Sequence, residues 1–174
     1  MPSSLPAQRR GAPGLDRFNT VAEDLAVATL LACCRSLRWA QRMADHRPYP
    51  DLDALLAAAD EAGYDLAPGD IAEALAHESS TGLHPGAPAA AHTALGAAHA
   101  AYESRFGHAF VISLDGFRPE EYLDQVLAGI RTRLAHEPDE ERAVSAEQLR
   151  GLARSRLAHV VANHPESDVA GASR

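Results

Sequence analysis

The sequence predicts an all-α protein, folded as a single-domain helical bundle. Of its 174 residues, 46% are hydrophobic but only 5% are aromatic. Alanine and leucine, which favour helices, are abundant, whereas β-branched residues are few. Apolar residues recur at spacings of three and four, which places them on one face of a helix. A chain of this length forms one domain with a real hydrophobic core.

Caps and helix breakers predict the helices of the first half one after another. Thr20-Val21-Ala22-Glu23 has the pattern of a capping box and predicts the start of a helix. Ser36 and Asp51 are the predicted N-caps of the next two helices, because their side-chain oxygens can accept a first-turn backbone N–H. Pro68 begins a fourth helix, which ends near His77.

A long helix follows, from Pro88 to Phe106, and Gly107 is its predicted left-handed C-cap. The next run, Phe110-Val111-Ile112, is β-branched and aromatic, and it is too short for a helix. If it is buried without a sheet partner, its backbone N–H and C=O groups need other partners. A polar planar ligand could supply them; alternatively, this is simply a helix end packed into the core.

Two more helices complete the predicted bundle, and both begin at a proline. Pro119 starts the first and Pro138 the last. Residues 1–13 and 164–174 are predicted to be disordered tails, because they show no hydrophobic period. The folded domain is therefore expected to span residues 14–163.

Composition excludes several classes of protein. A net charge of −8 argues against nucleic-acid binding, which needs clustered positive charge. No apolar run is long enough to cross a membrane or to act as a signal peptide. The adjacent Cys33 and Cys34 suit reduced thiols, so a cytoplasmic protein is expected. All 16 basic residues are arginines, which excludes lysine Schiff-base chemistry and a lysine-type phosphate loop.

Nine histidines raise the question of a metal site. His92, His99 and Glu103 lie at helical spacings that could bring a histidine pair and a carboxylate together. Their spacing matches no specific ligand motif, and Thr81 stands where a zinc-protease pattern starting at His77 requires a second histidine. We therefore expect no metal and interpret the histidines as partly buried, hydrogen-bonded side chains.

His77 is the candidate for proton transfer. It lies where a helix ends, beside Glu78, and a histidine can gain and lose a proton near neutral pH. The alternative is that His77 only caps the helix. His84 is a rival for the same role.

Four arginines near the C-terminus are candidates for binding a small carboxylate, because a guanidinium offers a planar fork of donors. The alternative is surface salt bridging with nearby acidic residues. The arginines are Arg131, Arg133, Arg154 and Arg156, and the acidic residues are Glu137, Asp139, Glu140 and Glu141.

Taken in order, short motifs over most of the chain resemble the family of 2-oxo-4-hydroxy-4-carboxy-5-ureidoimidazoline (OHCU) decarboxylases. No single motif is diagnostic, but their order and spacing are specific together. They are Leu15-Asp16-Arg17-Phe18-Asn19, Cys33-Cys34-Arg35-Ser36, Trp39-Ala40, Arg47-Pro48-Tyr49, Ala74-Leu75-Ala76-His77, the stretch from Tyr102 to Ile112, and finally Arg133, Glu141 and Arg156-Leu157.

The resemblance implies an all-α homodimer that decarboxylates a small ureido-imidazoline without a cofactor and yields (S)-allantoin, in the urate-degradation branch of purine metabolism. It implies that His77 transfers the proton and that Arg156 binds the polar substrate. Backbone groups of Phe110, Val111 and Ile112 are expected to hold the substrate amides. A carbonyl beside the departing carboxylate can take the electron pair, so the reaction needs neither metal nor lysine.

The sequence also departs from the family pattern. The family proline after the histidine is Glu78 here, and the catalytic glutamate of a later Glu-Gln pair is absent. Glu78 is the candidate to replace it. His99 stands where the family has an asparagine, and we include it with Arg133 among the expected substrate contacts. A repurposed enzyme acting on another small carbonyl compound, and a non-catalytic ligand-binding relative, are the alternatives.

Overall fold

The computed structural model describes residues 13–162. Within them the all-α prediction is confirmed, with eight α-helices, one 3-10 helix and no strand. The predicted tails lie outside these residues, except that Pro13 is the first residue of α1. The helices are α1 Pro13–Thr20, α2 Glu23–Cys33, α3 Leu37–Asp45, α4 Leu52–Tyr64, α5 Pro68–Ala76, α6 Ala89–Phe106, α7 Tyr122–Arg133 and α8 Pro138–Ala162, with a 3-10 turn over Pro119–Glu121.

Side-chain caps fix the starts of α3 and α4, as predicted. The Trp39 backbone N–H donates to Ser36 Oγ at 3.3 Å, and the Ala54 N–H donates to Asp51 Oδ1 at 2.8 Å. The capping box predicted at Thr20 is wrong. Thr20 ends α1, and its hydroxyl donates to the Asp16 carbonyl one turn earlier at 2.9 Å.

The long helix α8 forms the spine of the bundle and packs against α1, α2 and α4. Its approach to α1 is very close, because a Cβ added at Gly14 would lie 1.8 Å from the Val161 carbonyl oxygen. Only a glycine fits there. The main core lies along this spine and includes Leu30, Trp39 and Leu157, which are at most 1% exposed.

A second core lies between α6 and α7, with the segment after α6 folded into it. Tyr102 and Phe110 are fully buried there, at a ring-centroid distance of 5.0 Å. Gly107 caps α6 in the left-handed conformation, with φ of +80°, as predicted. The chain can therefore turn sharply and bring Phe110 and Val111 into the interior without forming a strand.

Candidate functional site

A cleft of about 270 Å³ opens where the ends of α2 and α5 meet the side of α8. At ~30 Å³ per water molecule, this volume suits a ligand with on the order of ten heavy atoms. The end of α5 at Ala76 releases His77 and Glu78 from the helix and directs the chain along the cleft. The lining residues are Leu31, Ala32, Cys33, Arg35, His77, Glu78, Ser79 and Arg156.

Arg156 and Glu78 form a forked ion pair in this cleft. Arg156 Nη1 donates to Glu78 Oε1 at 2.7 Å, and Nη2 donates to Oε2 at 3.0 Å. Nη1 also donates to the Cys33 carbonyl at 3.1 Å, which fixes the guanidinium against the last turn of α2. Hydrogen bonding to Glu78 raises the pKa of Arg156 above its ordinary value, so the guanidinium stays charged.

Within the described part of the chain, the pair leaves one edge of the Arg156 guanidinium unused. Glu78 and Cys33 occupy both hydrogens of Nη1 and one of Nη2. No acceptor within residues 13–162 takes the remaining Nη2 hydrogen or the Nε–H. Because these two donors lie on the same side of the planar group, they form a second fork of the kind that carboxylates bind.

His77 is the C-cap residue of α5, and its side chain is exposed at the cleft. Its Nδ1 lies 3.2 Å from the Glu73 carbonyl oxygen. A carbonyl accepts only from N–H, so this contact assigns the proton of the neutral ring to Nδ1 and leaves Nε2 for a ligand. His77 therefore combines the helix-capping contact with access to the cleft.

The two cysteines beside the cleft are not suited to nucleophilic chemistry. Burial raises the pKa of Cys33 to about 11 and that of Cys34 to about 11. Both thiols therefore stay protonated at neutral pH, and the thiolate is the reactive form.

His99 and His84 lie outside the lining of this cleft. His99 is buried in the second core, where Nε2 lies 3.1 Å from the Thr81 carbonyl oxygen, and its Nδ1 has no hydrogen-bond partner among the described residues. Ser80 Oγ donates to Glu103 Oε1 at 2.8 Å, so the loop after His77 is attached to α6 at two points. The exposed His84 accepts the Gly86 backbone N–H at 3.0 Å.

Arg133 also lies away from the cleft, in the second core. It is 6% exposed, and its Nη1 donates to the Val111 carbonyl at 2.6 Å. The guanidinium carbon lies 4.3 Å from the centre of the Phe110 ring. The structure therefore does not bring Arg133, or the segment Phe110-Val111-Ile112, to the cleft of Arg156, because these groups contact one another inside the core.

Glu141 is the acidic partner of Arg133. Its side chain is only 1% exposed and accepts from Arg133 Nε at 2.8 Å, from His136 Nδ1 at 2.9 Å and from the Tyr102 hydroxyl. Burial by itself raises the pKa of Glu141, but these hydrogen bonds outweigh it and the net pKa is lowered. Burial, with the bond to Glu141, raises the pKa of Tyr102 to about 12.

Sequence reasoning missed this buried network, which also includes Ser145. It treated Glu141 as a surface partner of nearby arginines. Two signals were available: Arg133 and Glu141 both belong to the motifs that resemble the family, and they lie on either side of the short turn between α7 and α8.

In residues 13–162, no group of three or more His, Cys, Asp or Glu side chains is placed to hold a metal ion. Among the helices of the same residues, none has the length and hydropathy needed to cross a bilayer.

Most of the chain matches one known protein family. The OHCU decarboxylase family model matches residues 19–84 and 72–158. The chain belongs to the OHCU decarboxylase family. The two matched segments overlap over residues 72–84, which contain both His77 and His84, so this match does not choose between the two histidines. A comparison with curated protein sequences finds no significant match.

Two solved structures have the same OHCU decarboxylase fold. One is an OHCU decarboxylase crystallised in the presence of (S)-allantoin, with a TM-score of 0.66, 19% identity, and coverage of 82% of this chain and 100% of that one. The other is an (S)-allantoin synthase, with a TM-score of 0.63, 18% identity, and coverage of 84% of this chain and 53% of that one.

Proposed function

We propose that this protein is a cofactor-independent decarboxylase that acts on OHCU, or a close analogue, and yields (S)-allantoin. Family membership supports a decarboxylase of this kind. The observation that carries the proposal is the cleft in which Arg156, held by Glu78, and the exposed His77 lie together. An anion-binding group and a proton-transfer group are the two elements that such a reaction needs.

The substrate carboxylate is proposed to bind the unused edge of Arg156. Because Glu78 occupies the opposite edge, the guanidinium can bind Glu78 and the substrate at the same time. Glu78 then acts as a positioning residue, since it fixes the plane in which Arg156 presents its free fork. This role differs from that of a proton-carrying glutamate.

The last turn of α2 is proposed to receive the ureido N–H groups of the substrate. The final four carbonyls of a helix have no partner within the helix. Here the Cys33 carbonyl accepts from Arg156, whereas Leu31 and Ala32 line the cleft. A ligand that carries both a carboxylate and N–H donors would satisfy both sides of the cleft.

The proposed chemistry breaks the bond between the ring carbon and the carboxylate. Carbon dioxide leaves, and the electron pair moves into the neighbouring unsaturated group of the substrate. One proton then replaces the lost carboxylate. His77 takes up that proton from solvent at Nε2, the nitrogen not used by the Glu73 carbonyl, and passes it to the ring carbon from one face, which sets the handedness of the product. The electron pair stays within the substrate throughout, so the step needs no outside acceptor.

The test uses freshly made urate-oxidation product, with carbon dioxide release and the optical rotation of allantoin as readouts. We expect the protein to accelerate both over buffer. His77→Ala and Arg156→Met should each lower turnover by ~10²–10⁴-fold, the scale of one catalytic group. His84→Ala is the matched control, because it removes the same side chain from outside the cleft, and it should keep full activity. No acceleration by the wild type, or loss only in His84→Ala, would refute the proposal.

A further inference from the structure

We propose that Arg35 is a second anion-binding residue of the cleft and determines its preference for negatively charged ligands. The family resemblance gives Arg35 no role of its own. The inference rests on the proposed function in one respect, the choice of small ureido compounds as ligands. It is carried by the position of Arg35 and by the balance of charge around it.

The backbone directs Arg35 towards the cleft. Between α2 and α3, Cys34 has φ and ψ of −149° and 120°, and Ser36 has −108° and 118°, so both are extended. Successive side chains of extended backbone point to opposite sides. Cys34 and Ser36 are buried at 4% and 0% exposure, which leaves Arg35 on the open side, where it lines the cleft.

Within residues 13–162, the guanidinium of Arg35 has no partner. Neighbouring arginines are paired: Arg38 lies 3.8 Å from Asp70, and Arg156 binds Glu78. By contrast, no residue between 13 and 162 forms a hydrogen bond or an ion pair with the Arg35 guanidinium. Its donors are therefore available to a ligand in the cleft.

Arg35 determines the net charge of the arginine, glutamate and cysteine side chains that line the cleft. Glu78 neutralises Arg156, and the lining thiol of Cys33 is uncharged because burial raises its pKa to about 11. Among the arginines and glutamates of the lining, one positive charge has no acidic partner within residues 13–162, and it belongs to Arg35. An anionic ligand held at the free edge of Arg156 would lie in the same small cleft as this charge and gain a second partner.

The test compares two ureido compounds by calorimetric titration of the full-length protein. Allantoate carries a carboxylate, whereas allantoin is neutral. We expect Arg35→Gln to weaken allantoate binding about tenfold, the loss of one charge-assisted hydrogen bond. Its affinity for allantoin should stay within about twofold of the wild type. Arg131→Gln is the matched control, because Arg131 is exposed on α7 and outside the cleft, and it should bind both compounds like the wild type.

Three results would overturn the inference. They are a wild type that does not bind allantoate, an Arg35→Gln variant that binds allantoate with normal affinity, and an Arg35→Gln variant whose affinities for allantoate and allantoin fall equally. Circular dichroism and thermal melting of each variant verify that the fold is intact. Turnover of OHCU separates this inference from the proposed function. If the wild type binds allantoate through Arg35 but does not release carbon dioxide from OHCU, only the proposed reaction is refuted. If Arg35→Gln turns over OHCU normally with an unchanged KM, only the role of Arg35 is refuted.

Discussion

Two arginine–glutamate pairs in this protein have the same chemistry but different surroundings. In the pair Arg133–Glu141, the side chains are 7% and 1% exposed, and in the pair Arg156–Glu78 they are 38% and 9% exposed. Every guanidinium nitrogen of Arg133 donates to a protein group, namely Glu141, the Val111 carbonyl or Ser145. By contrast, no acceptor between residues 13 and 162 binds the edge of Arg156 formed by Nε and the second Nη2 hydrogen.

The difference teaches how to separate a structural arginine from a functional one. An arginine whose three guanidinium nitrogens all donate inside the core joins helices together, because releasing one of these bonds would leave a buried group unpaired. An arginine with a fixed plane and unused donors at a cleft is preorganised for a ligand. Three predictions test this contrast.

The largest effect is expected at the buried pair. Arg133→Met leaves the Glu141 carboxylate buried without its cation and should lower the free energy of unfolding by about 3–5 kcal/mol. Urea denaturation measures the change. If the variant does not fold, the double variant Arg133→Met/Glu141→Leu keeps the test open, because removing both charges should recover much of the stability. A single variant as stable as the wild type would remove the distinction between the two pairs.

A smaller effect is expected from acid. Because the pKa of Glu141 is lowered in the folded protein, the unfolded state binds the proton more readily. The stabilisation by this carboxylate is therefore complete above its ordinary pKa of about 4.3 and is lost as the pH falls through the lower folded value. We expect the free energy of unfolding to fall less steeply below pH 4.3 in Arg133→Met/Glu141→Leu than in the wild type. Equal acid dependence in urea titrations would contradict this.

The smallest effect on stability is expected at the cleft. Glu78→Gln should lower the free energy of unfolding by about 1–2 kcal/mol, less than at the buried pair, because Arg156 is 38% exposed and glutamine keeps one acceptor for it, although Glu78 itself is only 9% exposed. The same substitution should lower turnover of OHCU, since Arg156 loses the partner that fixes its plane. A large loss of stability with unchanged turnover would show that this pair, like the buried one, is structural.

Local signals in the sequence were sufficient for most of the fold. Ser36, Asp51 and Gly107 act through their own neighbours, so the predicted caps are confirmed. The capping box at Thr20 failed because Thr20 is still the last residue of α1, and the N-cap of α2 is Ala22, two residues later.

The site depends on contacts between distant parts of the chain, and sequence reasoning reached only part of it. His77, Glu78 and Arg156 were named as candidates, but the ion pair between Glu78 and Arg156 joins residues 78 positions apart. The free edge of Arg156 follows from that contact and could not be read from spacing. Similarly, Arg133 has the same residue type as Arg156, and only the packing of α7 on the segment after α6 places it in the core.

Both glutamate–arginine pairs involve α8, one near its start and the other in its C-terminal half. Glu141 stands in its first turn, and Arg156 follows 15 residues later, a separation of roughly 22 Å along the helix axis. One helix thus carries a buried structural network near its start and the cleft arginine in its C-terminal half. For protein engineering, we expect the cleft side chains beside Arg156 to accept substitutions that suit new ligands without disturbing the buried network at Glu141, provided that Ala153 and Leu157 stay in the core.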